Sequence, residues 1–270
     1  MAGSPSACPA AVWDMARCTY FSLTSPRSIL ITSRYHTQSP EALFTHTPGL
    51  RVVVPRSPVQ AKGLLLASIR TADPVLFMEP KILYRAAVEQ VPVDAYELPL
   101  DKAEVLKTGK DVTIISYGTP LYTCSAAIAA AEKDFGCSVE LIDLRTIYPW
   151  DRETVLNSVK KTGRAIVVHE SMMNAGVGAE VAATIQEQAF LRLEAPVKRV
   201  AGWATHTGLV FEKIIIPDVT SKSRSSPVRC VSVLTPVQEC MTRSKRQSTI
   251  RPKQQCEEEE IMTPTPTLSL

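Results

Sequence analysis

Residues 111–144 read DVTIISYGTPLYTCSAAIAAAEKDFGCSVELIDL, and this stretch decides the fold class. The short apolar run Val112 to Ser116 has the length of a buried strand, the Ala-rich stretch Leu121 to Lys133 that of a helix, and Ser138 to Leu144 that of a second strand. Downstream the same alternation continues. Arg152 to Lys161 is a helix with Asp151 as its cap, Ala165 to Val168 a third strand, Val177 to Phe190 a third helix with Val181 and Ile185 on one face, and Val197 to Val200 a fourth strand. Strands and helices in strict alternation predict a doubly wound α/β layer architecture.

Upstream lies a second, smaller unit. Ser39-Pro40-Glu41 places a capping hydroxyl, a proline at the first helical position and an acid near the positive end of a short helix through Phe44. Leu50 to Val54 is a β-branched run closed by Pro55. Ser57-Pro58 opens a helix in which Ala61, Leu64, Leu65 and Ile69 recur at helical spacing, and Val75 to Met78 is another buried strand. Strand, helix, strand in this order favours parallel pairing through a right-handed crossover. Between the units, Pro92 and Pro99 interrupt both periodicities, so residues 86–108 are expected to be a linker.

The flanks differ from this regular text. Residues 1–34 carry Arg17, Arg27 and Arg34 with several Ser and Thr and one acid, Asp14, and are expected to be an irregular segment or one with the bias of an organelle transit peptide. Residues 220–270 are rich in Ser, Pro, Lys and Arg, with an acidic run Glu257 to Glu260, and are expected to be disordered. Their basic stretch Arg243-Ser-Lys-Arg246 is read as a solvated charge run.

Composition excludes several classes. With Lys+Arg 30 against Asp+Glu 27 in 270 residues, the net charge of +3 does not imply a nucleic-acid partner. No apolar run approaches the roughly 20 residues that a membrane-spanning helix needs. Seven cysteines without C-x-x-C spacing argue against a disulfide framework or zinc site, and Cys124 and Cys137 read as packing residues.

Several linked motifs carry a family resemblance. His36-Thr-Gln-Ser-Pro-Glu41, Val52-Val-Val-Pro-Arg-Ser-Pro58, Gln60-Ala-Lys-Gly63 and Glu79-Pro-Lys-Ile-Leu-Tyr-Arg85 are followed by Asp143-Leu-Arg-Thr-Ile-Tyr-Pro-Trp-Asp151, His169-Glu170 and Leu193-Glu-Ala-Pro196. In order and spacing, these resemble the β subunits of branched-chain 2-oxoacid (3-methyl-2-oxobutanoate) dehydrogenase, transketolase-like proteins, over roughly residues 35–219. The related pyruvate dehydrogenase β subunit shares the Leu-Arg-Thr-Ile-x-Pro pattern and is the alternative. Ser39-Pro-Glu41 and Glu79 to Arg85 favour the branched-chain branch. The resemblance implies a partial pyrimidine-binding-type domain at 35–85, a linker at 86–108 and a doubly wound transketolase C-terminal domain at 109–219.

The same resemblance implies a chemistry. Family members assemble as two α and two β chains in the mitochondrial matrix, with thiamine diphosphate held between them and magnesium on the α chain. The cofactor carries the oxidative decarboxylation, and the acyl group passes to a lipoyl arm of the dihydrolipoyl transacylase core in Leu, Ile and Val breakdown. His36 matches the family's β-chain active-site histidine; an imidazole with an ordinary pKa of about 6.5 exchanges protons near neutrality. Backbone carbonyls of Ser68, Thr71 and Asp73 match part of a potassium site whose other ligands fall near Ser22-Leu-Thr24. His46, His169 and His206 have no comparable motif. For His169 beside Glu170 a structural hydrogen bond or interface role is expected, and for Gly176 and Gly178 close packing or a tight turn.

Two departures qualify this picture. The family's glutamate for the cofactor aminopyrimidine has no counterpart before His36, and the last helix of the family is replaced after Pro217 by the irregular tail. The expectation is an incomplete subunit with an exposed edge in the first sheet and part of the second domain uncovered. Two functional readings follow, a decarboxylase β subunit and a catalytically inert interaction module that keeps the C-terminal fold.

Overall fold

A computed structural model of the 270-residue chain describes residues 21–24 (backbone only), 39–205, 216–217, 233 and 236–240. Two sheets organise it. The first contains β1 (Phe21–Thr24), β2 (Arg51–Val53), β3 (Val75–Glu79) and β7 (Thr146–Tyr148) in the order β1-β3-β2-β7. The second contains β4 (Glu104–Lys107), β5 (Val112–Ser116), β6 (Val139–Asp143), β8 (Ala165–Met172) and β9 (Lys198–Gly202) in the order β4-β6-β5-β8-β9.

In the first sheet, β3 pairs parallel with both β1 and β2, in the register Phe21 to Leu76 and Val52 to Leu76. The connection from β2 to β3 is helix α2 (Pro58–Arg70), the crossover that parallel pairing requires. Ser57 accepts the Gln60 backbone N–H at 3.4 Å and Pro58 sits in the first turn, so this helix starts where its sequence places it. Short helices α1 (Glu41–Phe44) and α3 (Leu83–Ala86) flank this unit. Strand alternation divides its side chains. Val53, Val75 and Phe77 pack under Leu64 and Ala67 of α2, whereas Val52, Val54, Leu76 and Met78 face the other way, into a core shared with the second sheet.

The second sheet is parallel from β6 through β9, with β4 antiparallel at one edge. Strands β5, β6 and β8 are buried on both faces, which is why they read as nearly continuous apolar runs. Helices α5 (Arg152–Thr162) and α6 (Val177–Ala189) cover one face. Helix α4 (Pro120–Phe135), ended by Gly136 in the left-handed conformation (φ +63°), covers the other. Asp151 caps α5 by accepting the Thr154 backbone N–H at 3.1 Å, as read from sequence. Cys124 and Cys137 are buried free thiols, again as read.

Four observations depart from the sequence reading. Glu104–Lys107, inside the stretch expected as linker, forms β4 and pairs with β6. Phe21–Thr24, inside the stretch expected to be irregular, forms β1 at the edge of the first sheet; the aromatic and β-branched content of FSLT suits a strand. Thr146–Tyr148 leaves the second domain's run and joins the first sheet as β7, antiparallel to β2. Within the tail, Val233, Val237 and Cys240 are fully buried against Val112, Ile114, Ile166 and Val200, with residues 236–240 helical. Their four- and three-residue spacing makes one apolar stripe, short enough to be lost among polar neighbours. That part of the second domain is therefore covered, against expectation. The remaining tail and residues 1–20 lie outside the described residues.

Candidate functional site

The two sheets meet where β6 ends and β7 begins, and the chain makes this corner with Arg145 at φ +59°. A left-handed arginine is uncommon and needs support from its surroundings. Here the support is visible. The Arg145 backbone N–H donates to Asp143 Oδ1 at 3.0 Å, its carbonyl accepts the Val54 N–H at 2.8 Å, and its guanidinium pairs with Glu104 at 2.7 Å.

Asp143 is the hub of this junction. The Gln60 amide on α2 donates to Asp143 at 2.9 Å and to Glu104 at 2.6 Å, and Arg56 lies 3.2 Å from Asp143 and 3.6 Å from Glu104. Burial pushes the Asp143 carboxyl up to about 6 despite these donors and charges. Glu104 is subject to the same burial. Its bonds and charge contacts with Arg145, together with Gln60 and Arg56, nonetheless hold it below the ordinary carboxylate range.

A second polar column lies on the same side of β5 as the shared core. Glu41 in α1 is buried, 3% exposed, and accepts a long 3.5 Å hydrogen bond from the Tyr117 hydroxyl; its Oε2 has no hydrogen-bond partner among the described residues. Tyr117, just past the end of β5, is stacked against His169 on β8, with centroids 6.4 Å apart and planes 13° apart. The imidazole is wedged against the start of α6. A Cβ on Gly178 would sit 2.5 Å from His169 Nε2, and one on Gly176 2.9 Å from Cε1. Only glycine permits this approach, so close packing explains both residues, as the sequence suggested.

Burial sets the protonation of this column. It raises Glu41 to about 7, only partly offset by the residue's own backbone N–H and by Tyr117. It lowers His169 to about 4, with the Ser171 backbone opposing and the Arg199 charge adding. It raises Tyr117 well above its usual value, helped by Glu41 and Glu170. Among the described residues neither ring nitrogen of His169 has a hydrogen bond of good geometry, although the Ser171 backbone bears on the ring; stacking and the glycine wedge hold it in place.

The column stands at the carboxyl ends of β5 and β8, where the strand order of the second sheet reverses direction around β5. In open α/β sheets this is the place where ligands are received. Its first-domain member, Glu41, is five residues past His36, which lies outside the described residues, as does His206.

Ser68, Thr71 and Asp73 lie elsewhere. They are at the far end of α2, about 12 Å along the helix axis from Gln60. Ser68 donates its hydroxyl to the Leu64 carbonyl at 2.7 Å, the Thr71 N–H closes the helix on Ala67, and Asp73 pairs with Arg51 at 2.7 Å. The Ser68 carbonyl falls in the last helical turn, where oxygens lack the usual N–H partner four residues on and are free to ligate a cation. Among the described residues no group of three or more His, Cys, Asp or Glu side chains could hold a metal ion. No helix there is long and apolar enough to cross a membrane.

Sequence reading missed Tyr117 and the burial of Glu41, although the acid does stand in the first turn of α1 as read. The acid was read as a partner of the positive end of a helix, and nothing in local periodicity signals that it is buried under a tyrosine 76 residues away.

Comparison with known proteins bears on this geometry. Residues 32–87 match the transketolase pyrimidine binding domain and residues 101–221 the transketolase C-terminal domain. The chain is 74% identical over 190 residues to the mitochondrial 2-oxoisovalerate dehydrogenase subunit beta of Chaetomium thermophilum, covering 70% of this chain and 40% of that one. It is 58% identical over 184 residues to the Dictyostelium discoideum protein of the same name, covering 68% and 50%. Against the pyruvate dehydrogenase E1 component subunit beta of Acholeplasma laidlawii the identity is 47% over 169 residues, covering 63% and 51%. The chain thus spans about half the length of the curated relatives it matches. A solved structure titled as a split-gene transketolase, inactive beta4 tetramer, superimposes with a TM-score of 0.59 at 23% identity, covering 82% of this chain and 65% of that one, and shows the fold.

Proposed function

We propose, for a chain that belongs to the transketolase-like family and is similar to 2-oxoisovalerate dehydrogenase β subunits, that it serves as the β chain of a branched-chain 2-oxoacid decarboxylase. In this reading it pairs with an α chain as two α and two β in the mitochondrial matrix and delivers acyl groups to a transacylase core. Thiamine diphosphate, shared with the α chain and anchored there through magnesium, would supply the electron sink for decarboxylation. Two domains, 35–85 and 109–219, with the junction between them, make up the working body.

The observation that supports this most is the Glu41–Tyr117 contact. It carries the segment that follows His36 against the carboxyl ends of β5 and β8, so that segment enters the domain junction instead of trailing from it. A buried carboxyl oxygen without a partner beside that segment fits a site completed by another group. His36 would hold or move a proton near neutral pH, and the apolar walls of Val54, Leu76 and Met78 would keep water out of the junction. At the far end of α2, the carbonyls of Ser68, Thr71 and Asp73 would bind potassium in a structural role.

The pyruvate dehydrogenase β reading has the weaker support, since its identity is 47% against 74%. Reconstitution with the α chain of a 2-oxoisovalerate dehydrogenase tests the assignment. Stable assembly and saturable thiamine diphosphate binding are expected, and a chain that neither assembles nor binds overturns it. Release of carbon dioxide from 3-methyl-2-oxobutanoate in the same complex is expected of a working subunit; binding without turnover would mark an inert module instead.

A further inference from the structure

We propose that the carbonyls of Pro92, Val93 and Asp94 form a niche for an ammonium-type cation, that Lys62 fills it from within the chain, and that this occupancy straps the interdomain segment to α2. The Lys62 ammonium donates to the Pro92 carbonyl, and to those of Val93 and Asp94 at 2.9 Å each. An ammonium has three N–H donors, so all three are directed at one short piece of chain. Successive carbonyls of an extended chain point to opposite sides, but a bend at Val93 and Asp94 brings these three to one point. Their negative ends repel one another there, and a cation at the centre turns that repulsion into attraction. The face of the Tyr96 ring adds to it, with its centroid 5.2 Å from the Lys62 nitrogen.

The neighbouring residues lie along the same helix. The Val59 N–H donates to Glu89 at 3.1 Å, the Tyr96 hydroxyl to the Val59 carbonyl at 2.7 Å and the Leu98 N–H to the Gly63 carbonyl at 3.2 Å, while Arg70 pairs with Glu97. A Cβ on Gly63 would sit 2.7 Å from both Leu98 Cγ and Tyr96 Cε2, so strap and helix touch closely there. Beyond Leu98 the chain passes through buried Leu100 into β4, where Glu104 accepts from Gln60 at 2.6 Å. Lys62 thus fastens one end of a connection whose other end is the Gln60 contact at the domain junction.

The test compares the full chain with its K62M variant, which keeps an unbranched stem and good helix propensity and removes the charge. Backbone hydrogen exchange of a peptide covering residues 92–98 is followed by mass spectrometry at one pH and ionic strength, in choline chloride and in ammonium chloride. In choline, K62M is expected to exchange there roughly fivefold faster than wild type, in keeping with the modest energies of solvent-exposed charged contacts. Ammonium ion should bring that rate back toward the wild-type value by entering the vacated niche, which choline is too large to do. Wild type, whose niche is filled, should exchange alike in both salts. Equal exchange of the two proteins in choline overturns the proposal. So does fast exchange in K62M that ammonium leaves unchanged, and so does equal slowing of both proteins, which would place the ion elsewhere. Neither cofactor nor α chain enters the measurement, so its outcome is independent of the decarboxylase reading.

Discussion

The side-chain amide of Gln60, on the helix that crosses over the first sheet, donates to Asp143 at the end of β6 in the second sheet, at 2.9 Å. A residue from one domain thus helps satisfy a buried carboxylate of the other, and separating the two sheets breaks this bond and the Arg56 contact, leaving Asp143 only Arg145.

Gln60→Ala should cost about 1–3 kcal/mol of unfolding free energy, the usual penalty for orphaning a buried acceptor. Urea denaturation of the full chain measures it. A midpoint unchanged from wild type would mean that Arg56 and Arg145 alone hold Asp143.

Glu41 makes stability depend on pH in a sense opposite to that of most carboxylates. Its folded pKa, about 7, lies above its ordinary 4.5, so the folded chain holds a proton that the unfolded chain has released. Its contribution is full below about pH 4.5 and is lost as pH rises through 7. The isosteric Glu41→Gln should remove that decline, gaining on the order of 2–3 kcal/mol relative to wild type between those limits. Parallel pH profiles for the two proteins would contradict it.

His169 works the other way. With a folded pKa near 4 against an ordinary 6.5, the ring stays neutral while the unfolded chain takes up a proton, so its contribution is present above pH 6.5 and lost as pH falls through 4. NMR titration should show the His169 resonances flat from pH 8 to pH 5, and a midpoint near 6.5 would place the ring in water.

Gly178→Ala sets two effects against each other. Alanine gains up to about 1 kcal/mol of helix propensity over glycine. Here its methyl would lie 2.5 Å from His169 Nε2, and the ring has no room to yield between Tyr117 and α6. A net loss of about 1–3 kcal/mol is expected. Adding His169→Ala should cancel the clash, so a double-mutant cycle showing simple additivity would refute the wedge.

Val237→Asp asks whether residues 233–240 belong to the second domain. Val237 is fully buried among Val112, Ile114 and Ile166, and a charge there should cost about 3 kcal/mol or more by thermal or urea unfolding. An effect within 0.5 kcal/mol, the range of a surface substitution, would detach the segment from the core.

Strands β5, β6, β8 and β9 and helices α4, α5 and α6 were legible in sequence, because those strands are short apolar runs and those helices are long enough to be periodic. The same holds for the caps at Ser57 and Asp151 and for the β2–α2–β3 crossover. The family, too, was readable, because its motifs are linear strings of residues. β1, β4 and β7 were not legible. Strands of three or four residues carry too little pattern to stand out, and their existence depends on the partner strand they meet.

Local sequence, then, determined the longer elements, the caps at Ser57 and Asp151 and the family, since all of these depend on neighbours within a few turns of chain, whereas the Ser39 cap read before α1 is not made. Only the tertiary structure decided that Glu41 is buried against Tyr117, that Asp143 is shared between two domains and that the chain turns at Arg145 to lend β7 to the first sheet. Those facts rest on contacts between residues tens of positions apart, and the protonation of the groups involved follows from desolvation, a property of the packed interior that no stretch of sequence carries alone.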